Sequence, residues 1–404
     1  MYSLEQANVN RNGSDINSEV AKKLLGFDSK EAVLSVSRIE KYNLCPYSFL
    51  LDYGFNLKPR KEFVMESVDI GSLMHAVIEK ASKAAAASDG GIKALDRKLC
   101  SEIVDSVFDE AVLEVSDDGS IFLGTERSTY MTAKMKRIAE NELNNMSEQL
   151  KFNMLQPYGF EMKYGFGDED SLPPVRVSCE DGFDVLLRGK IDRVDVGEMR
   201  SCGDAPDAVA PVYFRVIDYK SSANSVTVGD IVGGIKYQLI TYIAAVAKGL
   251  SEDPKYKDRE IVPAAAFYYT FNKDIERLSE HFSGDFESVK MDKFMNGLYL
   301  LREDSMHTLH GGVMEIKKNF DKSQYAIPDG GFERLFSQAE KGIAETAVNM
   351  KKGSFPIRPI IKPDGRTSCT YCDYKAVCLA CGGDAETQTR IKTVSAEEFW
   401  QGDK

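Results

Sequence analysis

VYFRVIDYKSS, residues 212–222, decides the fold. Its apolar and aromatic run up to the Asp-Tyr-Lys step reads as a β-strand. Asp218 and Lys220 are two apart, so their side chains leave the same face while Tyr219 points away. A carboxylate beside an ammonium suits a metal-plus-nucleophile site: Asp218 would coordinate a hard divalent ion, and Lys220 would orient or help deprotonate the attacking water. A second acid comes from GKIDRVD (189–195), where Asp192 could supply an oxygen to the same ion. The plainer reading is an Asp218–Lys220 ion pair at a strand end, with Asp192 paired to Arg193 or Lys190.

FEMKYGF (160–166), VRVSC (175–179) and DVLLRGKIDRVDV (184–196) also read as strands, with Asp181-Gly182 as a turn signal and 202–211 as a loop. Downstream, an apolar helix is expected over about 228–249, AAAFYYTF (264–271) reads as a buried strand, and 331–351 is helical again. Upstream lie helices near 70–87, 94–115 and 128–152, separated by SDGG and DDGS. SVSRIEKYNLCPYSFLLDYGF (35–55) carries a capping-box pattern, Ser37 with Glu40, then helical spacing that Pro46 should break and Gly54 should stop. The order of helices, strands, a long helix and another strand predicts an α/β sheet domain with helical decoration.

The 404 residues allow about two to three domains. Their formal charge of −12 disfavours a uniformly basic polyanion coat, although residues 101–118 alone hold seven acids and no base. Basic pieces at Lys58–Lys61 and Lys134–Arg137 could line a DNA path, with solvated faces as the bland alternative. No apolar run is long enough to span a membrane and no export signal is evident, so the expected compartment is the cytoplasm. No G-x-x-x-x-G-K-[ST] motif offers a P-loop. Four of the eight cysteines, Cys369, Cys372, Cys378 and Cys381, crowd into TSCTYCDYKAVCLAC, a ligand signature.

His75, in GSLMHAVIEK, falls about 130° from the centre of its helix's apolar stripe, so it is not a core histidine. Gly71 shares roughly that side and permits close approach. Gln238 and Tyr242 are i and i+4 on one helix face and form a polar pair. His307 and His310 could suggest a metal site with Glu303, but nothing nearby completes it.

GSLMH, GKIDRVD, VIDYKSS and YQLITY, in this order, resemble the RecB-like branch of the PD-(D/E)XK nuclease superfamily. Their frame, SVSRIEKYNLCPYSFLLDYGF before and CTYCDYKAVC after, resembles the C-terminal nuclease domains of the AddB family. The resemblance covers about Ser35 to Cys381. It implies a restriction-endonuclease-like mixed sheet flanked by helices. It further implies that His75, Asp192, Asp218 and the Tyr219 carbonyl bind Mg²⁺ or Mn²⁺, that Lys220 is the motif lysine, and that Gln238 and Tyr242 support the site and contact DNA. Glu161 lies where such domains often carry a further acid, without an assigned role. Cys45, Cys369, Cys372 and Cys378 match a 4Fe–4S ligand set, which leaves Cys381 as a spare or an alternative to Cys378; Cys₄ zinc is the chemical rival.

The implied activity is metal-dependent DNA exonuclease action in double-strand break end processing, on single-stranded DNA or duplex ends, alongside an AddA-like helicase-nuclease subunit and a helicase-like segment that these residues do not contain. The implied organisation is a partly disordered lead-in (1–33), a nuclease domain (34–382) with a helical insertion at about 92–153 and an iron–sulfur staple, and a tail (383–404). Two rivals stand beside it: a stand-alone RecB-like iron–sulfur exonuclease, as in the CRISPR-associated family, and a non-catalytic DNA-binding or assembly module of the same fold.

Overall fold

The computed structural model describes residues 15–27, 30–58, 65–116, 119–151, 153–199, 209–222, 224–271, 295–300, 325–362, 365–378, 389–390 and 395–401. In chain order its main elements are α1 (Ser18–Leu25), β1 (Glu31–Ser35), α2 (Val36–Leu44), α3 (Ser67–Ala87), α4 (Arg97–Val115), α5 (Glu126–Lys151), β2 (Gln156–Tyr164), β3 (Val175–Cys179), β4 (Phe183–Glu198) and β5 (Val212–Lys220). Then follow α6 (Val228–Val232), α7 (Gln238–Glu252), β6 (Ile261–Thr270), β7 (Met295–Leu300), β8 (Ala326–Ile327) and α8 (Gly331–Lys352).

The strands form one mixed sheet in the order β1-β4-β5-β6-β7-β8, with β2 and β3 also paired to β4. The first half of β4 lies between parallel β1 and antiparallel β3; its second half lies between antiparallel β2 and β5. Burial follows position: β5 is buried at every residue from Val212 to Tyr219, whereas β1 and β3 alternate buried and exposed residues. One part of the core joins Val194 and Val216 to Ile39 of α2, Ile243 of α7 and Ile343 of α8. The other joins Ile217 and Phe267 to Val77 of α3, Val104 of α4 and Leu143 of α5. This is the helix-flanked mixed α/β sheet expected from the sequence, and among the described residues no helix is long and apolar enough to cross a membrane.

Local details depart from the sequence reading. The capping box does not form: α2 starts at Val36 behind Ser35, whose side chain caps nothing. Glu40 instead accepts hydrogen bonds from the N–H groups of Tyr237 (2.6 Å) and Gln238 (2.9 Å), at the start of α7. The helix expected over about 228–249 is two helices, divided at Gly233 and Gly234, and Gly234 takes a left-handed φ of 77°. Pro46 does break the chain, with Cys45 extended ahead of it at φ −170°.

The segment 1–33 is not lead-in throughout, because α1 buries Ala21 and Leu25 and the Asn17 side chain caps it. Asn, Ser and Asp lower the apparent order of a sequence, yet here Asn17 serves as an N-cap. In the expected tail, Ala396–Gln401 is helical and packs Phe399 and Trp400 against the core. Cys381, Glu303, His307, His310, Arg60 and Lys61 lie outside the described residues.

Glu40→Ala should destabilise the protein by about 1–2 kcal/mol, since it leaves two N–H groups of α7 without their acceptor. Glu40→Gln, which keeps an accepting oxygen, should cost less. Urea denaturation compares the two, and equal midpoints for wild type and Glu40→Ala would show that Glu40 does not cap α7.

Candidate active site and cysteine pocket

The site begins with the partners of two neighbouring acids on β4. Both plain partners for Asp192 are engaged elsewhere. Arg193 binds Asp195 through Nε–Oδ1 (2.7 Å) and a second nitrogen on Oδ2 (2.9 Å), and Arg215 Nε also meets Asp195 Oδ2 at 2.7 Å. Lys190 reaches Glu161 at 2.8 Å. Asp192 is therefore available to β5: its Oδ2 accepts the Tyr219 N–H at 2.5 Å.

His75 enters from α3. Gly71, one turn earlier, faces Ser221, just beyond β5, but the approach expected to need a glycine does not: a Cβ there would sit 3.9 Å from the Ser221 hydroxyl, an ordinary contact. His75 Nε2 lies 3.1 Å from the Tyr219 carbonyl oxygen. Its Nδ1 lies 3.5 Å from Asp192 and 3.6 Å from Glu161.

Glu161 owes its place to the backbone. The β2–β4 register pairs Phe160 with Arg193 and Met162 with Ile191, which sets Glu161 opposite Asp192, and Glu161 adopts a left-handed φ of 51°. Such a φ is uncommon outside glycine, costs about 1–3 kcal/mol and concentrates at functional sites. It aims the Glu161 carboxylate at His75 and Lys190. A strand pattern cannot announce a left-handed residue, so only the bare presence of an acid marked this position.

Asp218 is 2% exposed, and its Oδ2 touches the Lys220 ammonium. Lys220 Nζ also lies 3.4 Å from Gln238 Oε1, and Gln238 Nε2 donates to the Tyr242 hydroxyl at 2.8 Å. Asp218, Lys220, Gln238 and Tyr242 thus form one polar chain, and Glu40 holds the N-terminus of the helix that carries its last two members. The sequence marked Gln238 and Tyr242 as a pair but missed Glu40, because its Ser-x-x-Glu spacing points to its own helix.

Electrostatics reflect the crowding of acids. Burial first, then Asp192, push the Asp218 carboxyl up to about 7, against the pull of Lys220. For His75 burial opposes the charged ring, but hydrogen bonds to Asp192 and Glu161 outweigh it and push the imidazole up to about 10. Burial likewise raises Glu161, and His75 and Lys190 overcome it, so that carboxyl is lowered.

These donors fit a hard divalent cation. Ligand atoms of His75, Glu161 and Asp192 lie within 4.8 Å of one another. The Tyr219 carbonyl joins them through His75, and Asp218 adds a buried carboxylate whose Oδ2 touches the Lys220 ammonium.

A second constellation lies at the other end of α2. Cys45, Cys369, Cys372 and Cys378 line one pocket with Tyr47, Tyr374 and Lys375. Ser368 Oγ donates to the Leu44 carbonyl at 2.9 Å, fastening the C-terminal cysteine segment to the end of α2. Four thiols around one pocket fit a 4Fe–4S cluster or a Cys₄ zinc ion.

The sequence profile of the PD-(D/E)XK nuclease superfamily matches residues 33–379. Among curated relatives, the chain is similar to the B subunit of the ATP-dependent helicase/deoxyribonuclease of Clostridium novyi, 31% identical over 409 residues that cover 96% of this chain and 33% of the relative. The corresponding B subunit of Thermoanaerobacter sp. is 30% identical over 391 residues, 92% of this chain and 32% of the relative. That of Alkaliphilus metalliredigens is 29% identical over 376 residues, 90% and 31%. The chain spans about a third of the length of these relatives.

Divalent-ion binding to the DNA-free protein should tighten with pH. Metal competes with protons for Asp218 and His75, both raised, so fewer protons must leave as pH climbs. Between pH 6 and 8 the affinity for Mn²⁺ should rise at least about tenfold, with protons released. Isothermal titration calorimetry in two buffers of different ionisation enthalpy measures both, and pH-independent affinity would contradict this donor set.

Proposed function

The chain belongs to the PD-(D/E)XK nuclease superfamily, and we propose that it is a metal-dependent DNA exonuclease module of AddB type, acting in double-strand break end processing and recombinational repair. The observation that carries this reading is the convergence of His75, Glu161, Asp192, the Tyr219 carbonyl and Asp218 beside Lys220. An ion pair at a strand end would need only Asp218 and Lys220; it would not need a histidine from α3 or a left-handed glutamate on β2.

Superfamily membership implies a divalent metal, and Mg²⁺ or Mn²⁺ is the ion we assign. When bound, it polarises the scissile phosphate and lowers the pKa of water. His75, Asp192, Asp218 and the Tyr219 carbonyl would hold it, with Glu161 as a further acid. The Asp192–Tyr219 bond holds the Asp218–Tyr219 peptide, and the Tyr219 carbonyl, in the peptide that follows, faces His75. Lys220 Nζ is the donor that would orient the attacking water and neutralise charge developing on the phosphoryl oxygens. Gln238, accepting from Lys220 and donating to Tyr242, keeps that ammonium in place. In-line displacement would leave a 5′-phosphate and a 3′-hydroxyl.

The cysteine pocket supports a 4Fe–4S cluster bound by Cys45, Cys369, Cys372 and Cys378. Closing the chain from residue 45 to residue 369 would restrict a very long loop in the unfolded state, an effect worth several kcal/mol for a disulfide of that span. In this reading the cluster is a structural pin. DNA, with single-stranded DNA or duplex ends as substrate, and an AddA-like helicase-nuclease are the proposed partners, and the cytoplasm is the proposed compartment. The relatives' description as the B subunit of a helicase/deoxyribonuclease supports the choice of DNA and of a helicase partner.

Labelled single-stranded DNA with Mg²⁺ or Mn²⁺, and EDTA as control, tests the activity. Asp218→Asn and Lys220→Ala should each lower cleavage by at least about a hundredfold, in the range typical of lost electrostatic or proton-transfer groups. Wild-type cleavage retained by either variant would reject its assigned role, and a wild type that binds without cleaving would favour a non-catalytic module. Separately, Cys45→Ser should lose iron and brown colour and unfold at lower denaturant; full iron content in that variant, or zinc in place of iron in the wild type, would reject the cluster.

A further inference from the structure

Outside the metal site, one surface strip alternates cations with aromatic rings. Phe166 is half exposed, at 50%, in the turn after β2. The Arg188 guanidinium lies 5.4 Å and the Lys163 ammonium 6.0 Å from its ring centre. Across the β1–β4 pairing, Arg188 stands opposite Ser35, and Arg38 follows on the first turn of α2. Arg38 lies 5.0 Å from the Tyr53 ring, and Lys58 approaches the same ring at 5.6 Å.

The arrangement is built. Gly165 takes a φ of 76°, and a Cβ there would fall 2.7 Å from the Leu187 carbonyl oxygen and 2.9 Å from Arg188 Cβ. Only a glycine lets the turn lie flush on β4 and hold Phe166 beside Arg188. The charges are also uneven. Lys163 pairs with Asp168 at 3.1 Å, and Lys58 pairs with Asp52. Among the described residues Arg38 and Arg188 have no carboxylate partner, although each lies in the other's field. Arg38 Nε is buried without a hydrogen bond. Two neighbouring guanidiniums left unneutralised on a protein of formal charge −12 present a local demand for anions.

We infer that this strip is the track along which a single DNA strand reaches the metal site, with one base stacked on Phe166 and backbone phosphates held by Arg188 and Arg38. The inference rests on the nuclease reading. A ring flanked by guanidinium and ammonium groups stacks on the open face of an unpaired base, which a duplex keeps closed. The distance suits a track leading to the site: Arg188 is four residues before Asp192 on β4, so about 13 Å separate them along the strand.

Fluorescence anisotropy of a labelled oligo(dT) in EDTA reads binding without cleavage, and Mg²⁺-dependent cleavage by the wild type is assayed in parallel. Phe166→Ala should weaken binding at least about fivefold with no change in salt dependence, and Phe166→Trp should restore it. Arg188→Ala should weaken binding and reduce the slope of log K against log salt by about 0.7, the value of one lost phosphate contact on a single strand, while Arg188→Lys keeps most of that slope. Unchanged affinity and slope in both alanine variants would overturn the track and leave the nuclease reading intact if the wild type cleaves. A wild type that binds through these residues but cleaves nothing supports the track and overturns the nuclease reading.

Discussion

One side-chain bond organises the site: the Asp192 carboxylate accepts the Tyr219 N–H. The β4–β5 ladder runs from Glu198 opposite Val212 to Arg193 opposite Ile217, and one step further a side chain takes over from the main chain. That substitution holds the Asp218–Tyr219 peptide, just ahead of the Tyr219 carbonyl that faces His75, and leaves Asp192 and Asp218 close together in a buried setting. Burial first, and then repulsion from Asp192, raises the Asp218 carboxyl. Lys220 and His75 offset part of that repulsion with the charges this chain itself provides, and a divalent cation is the chemically natural remainder.

The same strands carry a second buried ionic group, Arg193, Asp195 and Arg215, fully enclosed. Burial raises Asp195, yet the two guanidiniums overcome it and hold the carboxyl low. Its consequence for the site is indirect but decisive: because Arg193 is committed to Asp195, it cannot neutralise Asp192. Helix α2 makes the comparable link on a larger scale. Its Glu40 anchors the start of α7 and hence Gln238, while its C-terminal end leads into Cys45 and is bonded to Ser368. The cysteine pocket and the polar chain through Lys220 therefore share one nine-residue strut.

The sheet was legible in the sequence because side-chain alternation and apolar runs encode strands directly. VYFRVIDYK could be placed on a strand, and Asp218 with Lys220 on one face of it, from period alone. Helices α3, α4 and α5 were legible for the same kind of reason. What escaped was whatever depended on a partner distant in sequence or on backbone angle. Ser37-x-x-Glu40 has the spacing of a capping box whether the glutamate turns back on its own helix or reaches across to α7. Gly233-Gly234 lay inside an apolar run whose period continues through the break. Glu161 reads as one acid among strand residues, and its left-handed φ has no local signature. Asp192 next to Arg193 invites a pairing that alternation forbids, since neighbours on a strand point to opposite faces.

In this reading His75 of α3 and the acids of β4 and β5 enclose a divalent cation. Anomalous diffraction at the manganese edge from crystals soaked in Mn²⁺ tests it most directly. A peak bound by His75, Asp192, Asp218 and the Tyr219 carbonyl is expected; its absence there under saturating Mn²⁺, with His75 still closed on Asp192 and Glu161, would show that these groups do not hold the cation.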